Sequence, residues 1–279
     1  MNASSSTRDD LETAVWKSMA QKMSTRAYLE RIGYEGSLQP DIDVLRELHR
    51  RHLLSVPFEN LDITTGRPIV LSQAALYDKI IGHRRGGFCY ELNGAFAGLL
   101  KALRFRVSLL SARSAEEGGG FTPDFDHMAL LIRLKERWLI DVGFGDLFTE
   151  PKRIDADGPQ IDDGKTFRIT RDGGGRLLSR WDKEKKSWKP EYLFTLRPRK
   201  LEDFVPMCTF QQTSLDSFFR RGSICTLLTP SGRMTVTEKK LITTRSGRRF
   251  ERPVRDTREF RALLHRRFGI DLDPTDLRA

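Results

Sequence analysis

The chain has 279 residues, 31% of them charged, with 48 Lys and Arg against 38 Asp and Glu for a net charge of +10. This length supports two or three compact units with real cores, and no apolar run approaches the roughly 18–20 residues of a membrane helix. Three cysteines, Cys89, Cys208 and Cys225, with no CxxC pair and no Cys/His ligand spacing, argue against zinc and against a disulfide framework and suit a reducing cytoplasm.

Residues 1–23 lack the apolar core of a signal peptide and read as a mobile extension with a short helix around Leu11–Met19. From 24 to 106 the pattern is helical: Asp41 precedes an apolar-periodic run as a cap, and Pro57 marks a boundary. In Arg84–Asn93 a cysteine follows a glycine pair. From Cys89 onward, Leu92, Phe96, Leu99, Leu100 and Leu103 recur at helical intervals, so Cys89 is expected at a helix N-terminus, with Gly86 and Gly87 allowing a tight turn before it. There the macrodipole favours a thiolate.

From 107 to 219 short strands dominate, bounded by the triple glycines 118–120 and 173–175. Two apolar runs, Met128–Ile132 and Trp138–Val142, flank a charged stretch and read as a hairpin. A turn centred on Leu134 pairs residues whose numbers sum to 268, which sets His127 opposite Asp141 on one face. Residues 220–279 carry a strand pair, Ile224–Leu228 and Arg233–Thr237, and a final helix, Asp256–Phe268. Cys208 and Cys225 follow apolar residues and read as core. His49, His52, His83 and His265 stand among basic residues and read as solvated or helix-surface positions.

A cysteine at a helix start, a histidine and a carboxylate form a nucleophile, its base and an orienter for that base. Taken singly, His127 is also consistent with a satisfied strand histidine, Asp141 with a cap on the following Gly-Phe-Gly turn, and Cys89 with an inert core thiol. The combination favours catalysis.

Four ordered runs, Val56–Ile63, Arg85–Asn93, Asp126–Leu131 and Asp141–Gly145, resemble the arylamine N-acetyltransferase family over about residues 24–250. The resemblance implies an α+β fold of helical bundle, central β-barrel and α/β lid, in the Cys-His-Asp layout of papain-like enzymes. It implies that Cys89 accepts the acyl group, His127 is the base and Asp141 its orienter, with Glu59, Asn60, Arg85 and Asn93 forming a polar network around them. Arg85 pairing with Glu59 would leave neither charge uncompensated. Phe144 and Gly145 would line the acceptor pocket, with Phe58 and Phe88 as neighbours. Two departures stand out: Gln211–Phe219 replaces a Ser-Pro-rich segment, and Asp126 precedes the histidine.

The function so implied is ping-pong acetyl transfer from acetyl-CoA, a co-substrate and not a resident cofactor, to aromatic amines or hydrazines. The same triad could serve an amide synthase or an amide hydrolase. A basic binding module with an inert cysteine is the non-enzyme alternative. The charge invites a nucleic-acid reading, but the basic residues are interleaved with acids and no reading motif accompanies them, so nucleic acid is a minor expectation.

Overall fold

A computed structural model describes residues 24–272; the extension 1–23 and its expected helix lie outside the described residues. Helix α1 (24–31) precedes α2 (Ile42–Ser55), the short strand β1 (Phe58–Glu59), the short helices α3 (Leu61–Thr65) and α4 (Gln73–Tyr77), and α5 (Cys89–Ala102). Asp41 caps α2 as its sequence suggests, its carboxylate accepting from the backbone N–H groups of Asp43 (3.0 Å) and Val44 (2.9 Å). Helix α5 packs on α4 and on the next two long strands, so burial extends beyond its apolar stripe to Glu91, Asn93 and Gly94.

Strands β2 (Arg106–Ser114), β3 (His127–Arg133), β4 (Arg137–Ile140), β5 (Lys152–Arg153), β6 (Gln160–Asp162), β7 (Lys165–Asp172), β8 (Gly175–Asp182) and β9 (Ser187–Phe194) form one antiparallel sheet. Its order is β5-β4-β3-β2-β9-β8-β7-β6. The two edges meet through the Gln160 carboxamide, which accepts from the Arg153 N–H (2.8 Å) and donates to the Arg153 carbonyl (3.0 Å). These bonds stand in for a strand ladder and nearly close the sheet into a barrel. Leu110, Leu131, Phe167, Leu178 and Phe194 belong to its core cluster.

Residues 201–219, grouped with the strands from sequence, are largely helical: a 3-10 turn (Leu201–Phe204), α6 (Val205–Thr213) and most of a second 3-10 turn (Phe218–Arg220). Pro206 falls in the first turn of α6, where its missing N–H has no intrahelical partner to lose. The expected strand pair is present as β10 (Ile224–Thr229) and β11 (Gly232–Thr237), followed by β12 (Lys240–Arg245), β13 (Arg248–Pro253) and α7 (Thr257–Phe268). Sequence patterning misses β13 because all its residues are exposed, so no alternation marks it. In this second sheet, ordered β1-β10-β11-β12-β13, Phe58 pairs with Thr226 and Glu59 with Cys225. The N-terminal helical region is thereby stitched to the C-terminal sheet. No helix among the described residues is long and apolar enough to cross a membrane.

Candidate active site

Cys89 is the first residue of α5 and is 3% exposed. The chain reaches it through a close approach rather than a glycine turn. A Cβ on Gly86 would lie 2.0 Å from the Pro57 carbonyl oxygen, while the left-handed residue is Arg84 (φ 52). Glu91 steadies the helix start, one carboxylate oxygen accepting from the Phe88 N–H at 3.1 Å.

The hairpin carrying His127 and Asp141 is offset from its expected register. Leu130 pairs with Ile140 and Arg133 with Arg137, so opposed numbers sum to 270, not 268, and the turn centres on Lys135. A two-residue offset preserves the face of every side chain. His127 and Asp141 lie just beyond the last ladder pair and still meet, Nε2 of the imidazole 2.7 Å from Asp141 Oδ2. Asp141 Oδ1 accepts from Asn93 Nδ2 (3.0 Å) and the Gly143 N–H (2.9 Å). Burial opposes a charge on this carboxylate, but His127, Asn93 and the Gly143 N–H together hold it below the usual aspartate range. Asn93 also donates to the Met128 carbonyl (2.7 Å) and accepts from the Val142 N–H (3.0 Å), so its whole amide is used.

The expected thiolate is not favoured by the helix end alone. Burial, and then the carboxylate of Asp126, push the Cys89 thiol well above its ordinary value. A proton leaving this sulfur therefore needs an acceptor beside it. With Nε2 held by Asp141, Nδ1 of His127 is the ring nitrogen left to act.

Cys89 and His127 border a cavity of ≈ 460 Å³, with Phe58, Phe144, Phe219 and Gly145 among its walls. Phe144 and Tyr192 pack against the imidazole, each 5.2 Å between ring centres, and fix its plane. Tyr192 was not foreseen: it lies on β9, and the pairing of β9 with β2 and of β2 with β3 brings it here. Phe88, expected as a pocket neighbour, is fully buried against Tyr90 and Phe219 and does not line the cavity. As the helix cap, it points its side chain into the core.

The N-acetyltransferase family model matches residues 41–277. The arylamine N-acetyltransferase of Mycolicibacterium smegmatis is 33% identical over 257 residues, 90% of this chain and 93% of its own length. This chain belongs to the arylamine N-acetyltransferase family. The arylamine N-acetyltransferase structure from Salmonella typhimurium superposes with a TM-score of 0.83 at 30% identity, covering 88% of this chain and 91% of that one. The Mycobacterium marinum arylamine N-acetyltransferase, solved in complex with CoA, does so at 0.81 and 31%, covering 88% and 92%.

In this member of the family the four expected network residues fall into three groups. Asn93 serves Asp141. Asn60 donates to the carbonyls of Phe219 (2.7 Å) and Gly222 (2.9 Å) and accepts from the Ile224 N–H (2.8 Å), clamping the segment that bears Phe219. Arg85 bonds Glu59 (2.8 Å), as expected, and also Asp62 (2.9 Å). Asp62 in turn meets Lys79 (2.8 Å), which bonds Glu91 (2.7 Å). Asp62, Lys79 and Glu91 escaped the sequence reading, although Glu91, three residues after the cap, carried a legible capping signal. With three carboxylates against two cations, burial pushes the Glu91 carboxyl up to about 6 despite Lys79.

Two histidines correct the sequence reading. His49 and His52 are fully buried, while His83 and His265 are exposed as expected. His49 lies 2.9 Å from the Thr149 carbonyl and 3.1 Å from that of Asp141, while His52 Nδ1 meets the Tyr28 hydroxyl at 3.1 Å. Both occupy the inward face of α2, so the basic neighbours in sequence point elsewhere. Among the described residues no group of three or more His, Cys, Asp or Glu is arranged to hold a metal.

Proposed function

We propose that the protein transfers acetyl from acetyl-CoA to aromatic amines or hydrazines by a ping-pong route through acetyl-Cys89. The arrangement carrying this reading is a buried helix-start thiol and a carboxylate-held imidazole on one apolar cavity. Acetyl-CoA is the donor proposed by analogy with the CoA-bound relative, whose structure covers most of this chain.

Sγ of Cys89 attacks the thioester carbonyl as its proton passes to His127, and Asp141 stabilises the imidazolium. The Cys89 N–H, among the first four of α5 and so without an intrahelical acceptor, is available to the developing oxyanion. Collapse expels the CoA sulfur, which takes the proton from His127 and leaves as the thiol. One thioester replaces another, so the step is nearly balanced. The neutral arylamine then attacks acetyl-Cys89, His127 accepts the amine proton, and the proton returns to the departing Cys89 sulfur, giving the amide and free enzyme.

Intact-mass measurement after incubation with acetyl-CoA, with Cys89→Ala as control, tests this. One acetyl group gained at Cys89 and lost to an added arylamine is the expected result. No adduct, with turnover of an acyl-chain amide precursor or an amide instead, would assign the site to synthase or hydrolase chemistry.

A further inference from the structure

We propose that Arg233 is a specificity-determining residue that takes an anionic group, such as a carboxylate, carried by the acceptor on the far side of its ring from the amine. The inference rests on the reading of this cavity as the acceptor site. Arg233, on β11, lines the cavity with its side chain 16% exposed. Nη1 donates to Thr226 Oγ1 at 3.2 Å. Nε lies 3.3 Å from Asp146 Oδ1 but out of line, so the contact is Coulombic and the buried Nε makes no hydrogen bond. Of the guanidinium nitrogens, Nε is the one both buried and without a hydrogen bond, which is costly unless an occupant supplies an acceptor.

Asp146 does not neutralise it. The same carboxylate meets Lys165 (2.7 Å) and Arg180 (3.7 Å), and Arg180 is also held by Glu191 (2.7 Å). Three cations thus face two carboxylates, leaving one positive charge over. Arg249, also bordering the cavity, is already bonded to Glu251. Beside the nucleophile the sign reverses: Asp126 lines the cavity there, its carboxylate accepting from Gln211 (2.9 Å). An acceptor with its amine towards Cys89 and an anion towards Arg233 matches both ends, and Phe58 and Phe144 supply apolar walls for its ring.

Calorimetric titration with 4-nitrobenzoate, which has no amine to acetylate, and with its neutral methyl ester reads this site without transfer chemistry. The wild type is expected to prefer the carboxylate. Arg233→Met should weaken the carboxylate about tenfold or more, the usual loss for a charged hydrogen-bond partner, and leave the ester unchanged. Arg233→Lys should recover part of the loss. Equal binding of both probes to the wild type, or a loss in Arg233→Met shared by both, overturns the proposal. CoA phosphates are the other anion that could reach Arg233. A loss confined to the acetylation of Cys89 by acetyl-CoA, with the carboxylate-to-ester ratio unchanged, would assign Arg233 to the donor and equally overturn it. If no acetyl-enzyme forms at all, the transfer reading fails while the titration still decides the anion site.

Discussion

Ionisation of Cys89 depends on its neighbour. Burial and Asp126 raise the isolated thiol, so the thiolate is expected only when His127 has taken the proton. Alkylation of Cys89 by iodoacetamide should therefore proceed at neutral pH in the wild type. In His127→Gln it should slow by about tenfold or more, with its pH onset displaced upward; an unchanged onset would mean that the imidazole does not receive the proton. Asp141→Asn keeps the size of the side chain and its bonds to Asn93 and the Gly143 N–H within reach, but removes the charge that supports the imidazolium. Steady-state kinetics should show kcat lower by roughly 10⁴, as for other triads with a misdirected base, with the far-UV spectrum retained. Loss of the fold instead would make Asp141 chiefly structural.

Between elements, the decisive contact is that of the turn after β4 with the start of α5. A Cβ on Gly143 would lie 2.7 Å from both the Cys89 Cα and Asn93 Nδ2. Backbone on one side and a fully bonded amide on the other leave no room to yield. Gly143→Ala should displace the Asp141 turn from α5 and cut the rate of acetyl transfer by about a hundredfold, the scale of a 1 Å misplacement. Helix content by circular dichroism should be retained; unimpaired transfer would refute this packing account. The hairpin carries a related lesson. Its register differs by two residues from that read from sequence, yet His127 and Asp141 meet, because a period of two returns each side chain to its face.

Across the whole molecule, buried histidines make stability sensitive to acid. Burial holds His49 and His52 below their ordinary value, so the unfolded chain takes up protons below about pH 6.5 while the folded chain does not. Their contribution is therefore full above that pH and is lost as pH falls. Glu91 acts in the opposite sense: with its folded value raised to about 6, its favourable contribution is present at low pH and disappears as pH rises through 6. Glu191, also raised by its burial, acts with Glu91, so the histidine part of the stability slope between pH 7 and pH 5 is isolated by substitution. His52→Phe should flatten that slope by up to ~1.4 kcal/mol per pH unit, the effect of one proton. An unaltered slope would show that His52 is not a group that titrates on unfolding.

Much of this protein is written in local pattern. The cap at Asp41, the helix starting at Cys89, the hairpin bearing His127, and the strand pair from Ile224 follow from spacing and turn chemistry, which act over a few residues. The pairing of Arg85 with Glu59 was implied by the family resemblance, and the cost of an unmatched buried charge supplies its physical reason. Tertiary structure alone decided the rest. Lys79 and Asp62 join that pair, Tyr192 reaches His127, and β1 docks on β10, each through contacts between segments distant in sequence. His49 and His52 show the reason most directly. Their neighbours in sequence are basic and solvated, but a helix has faces, and which face is buried depends on what packs against it.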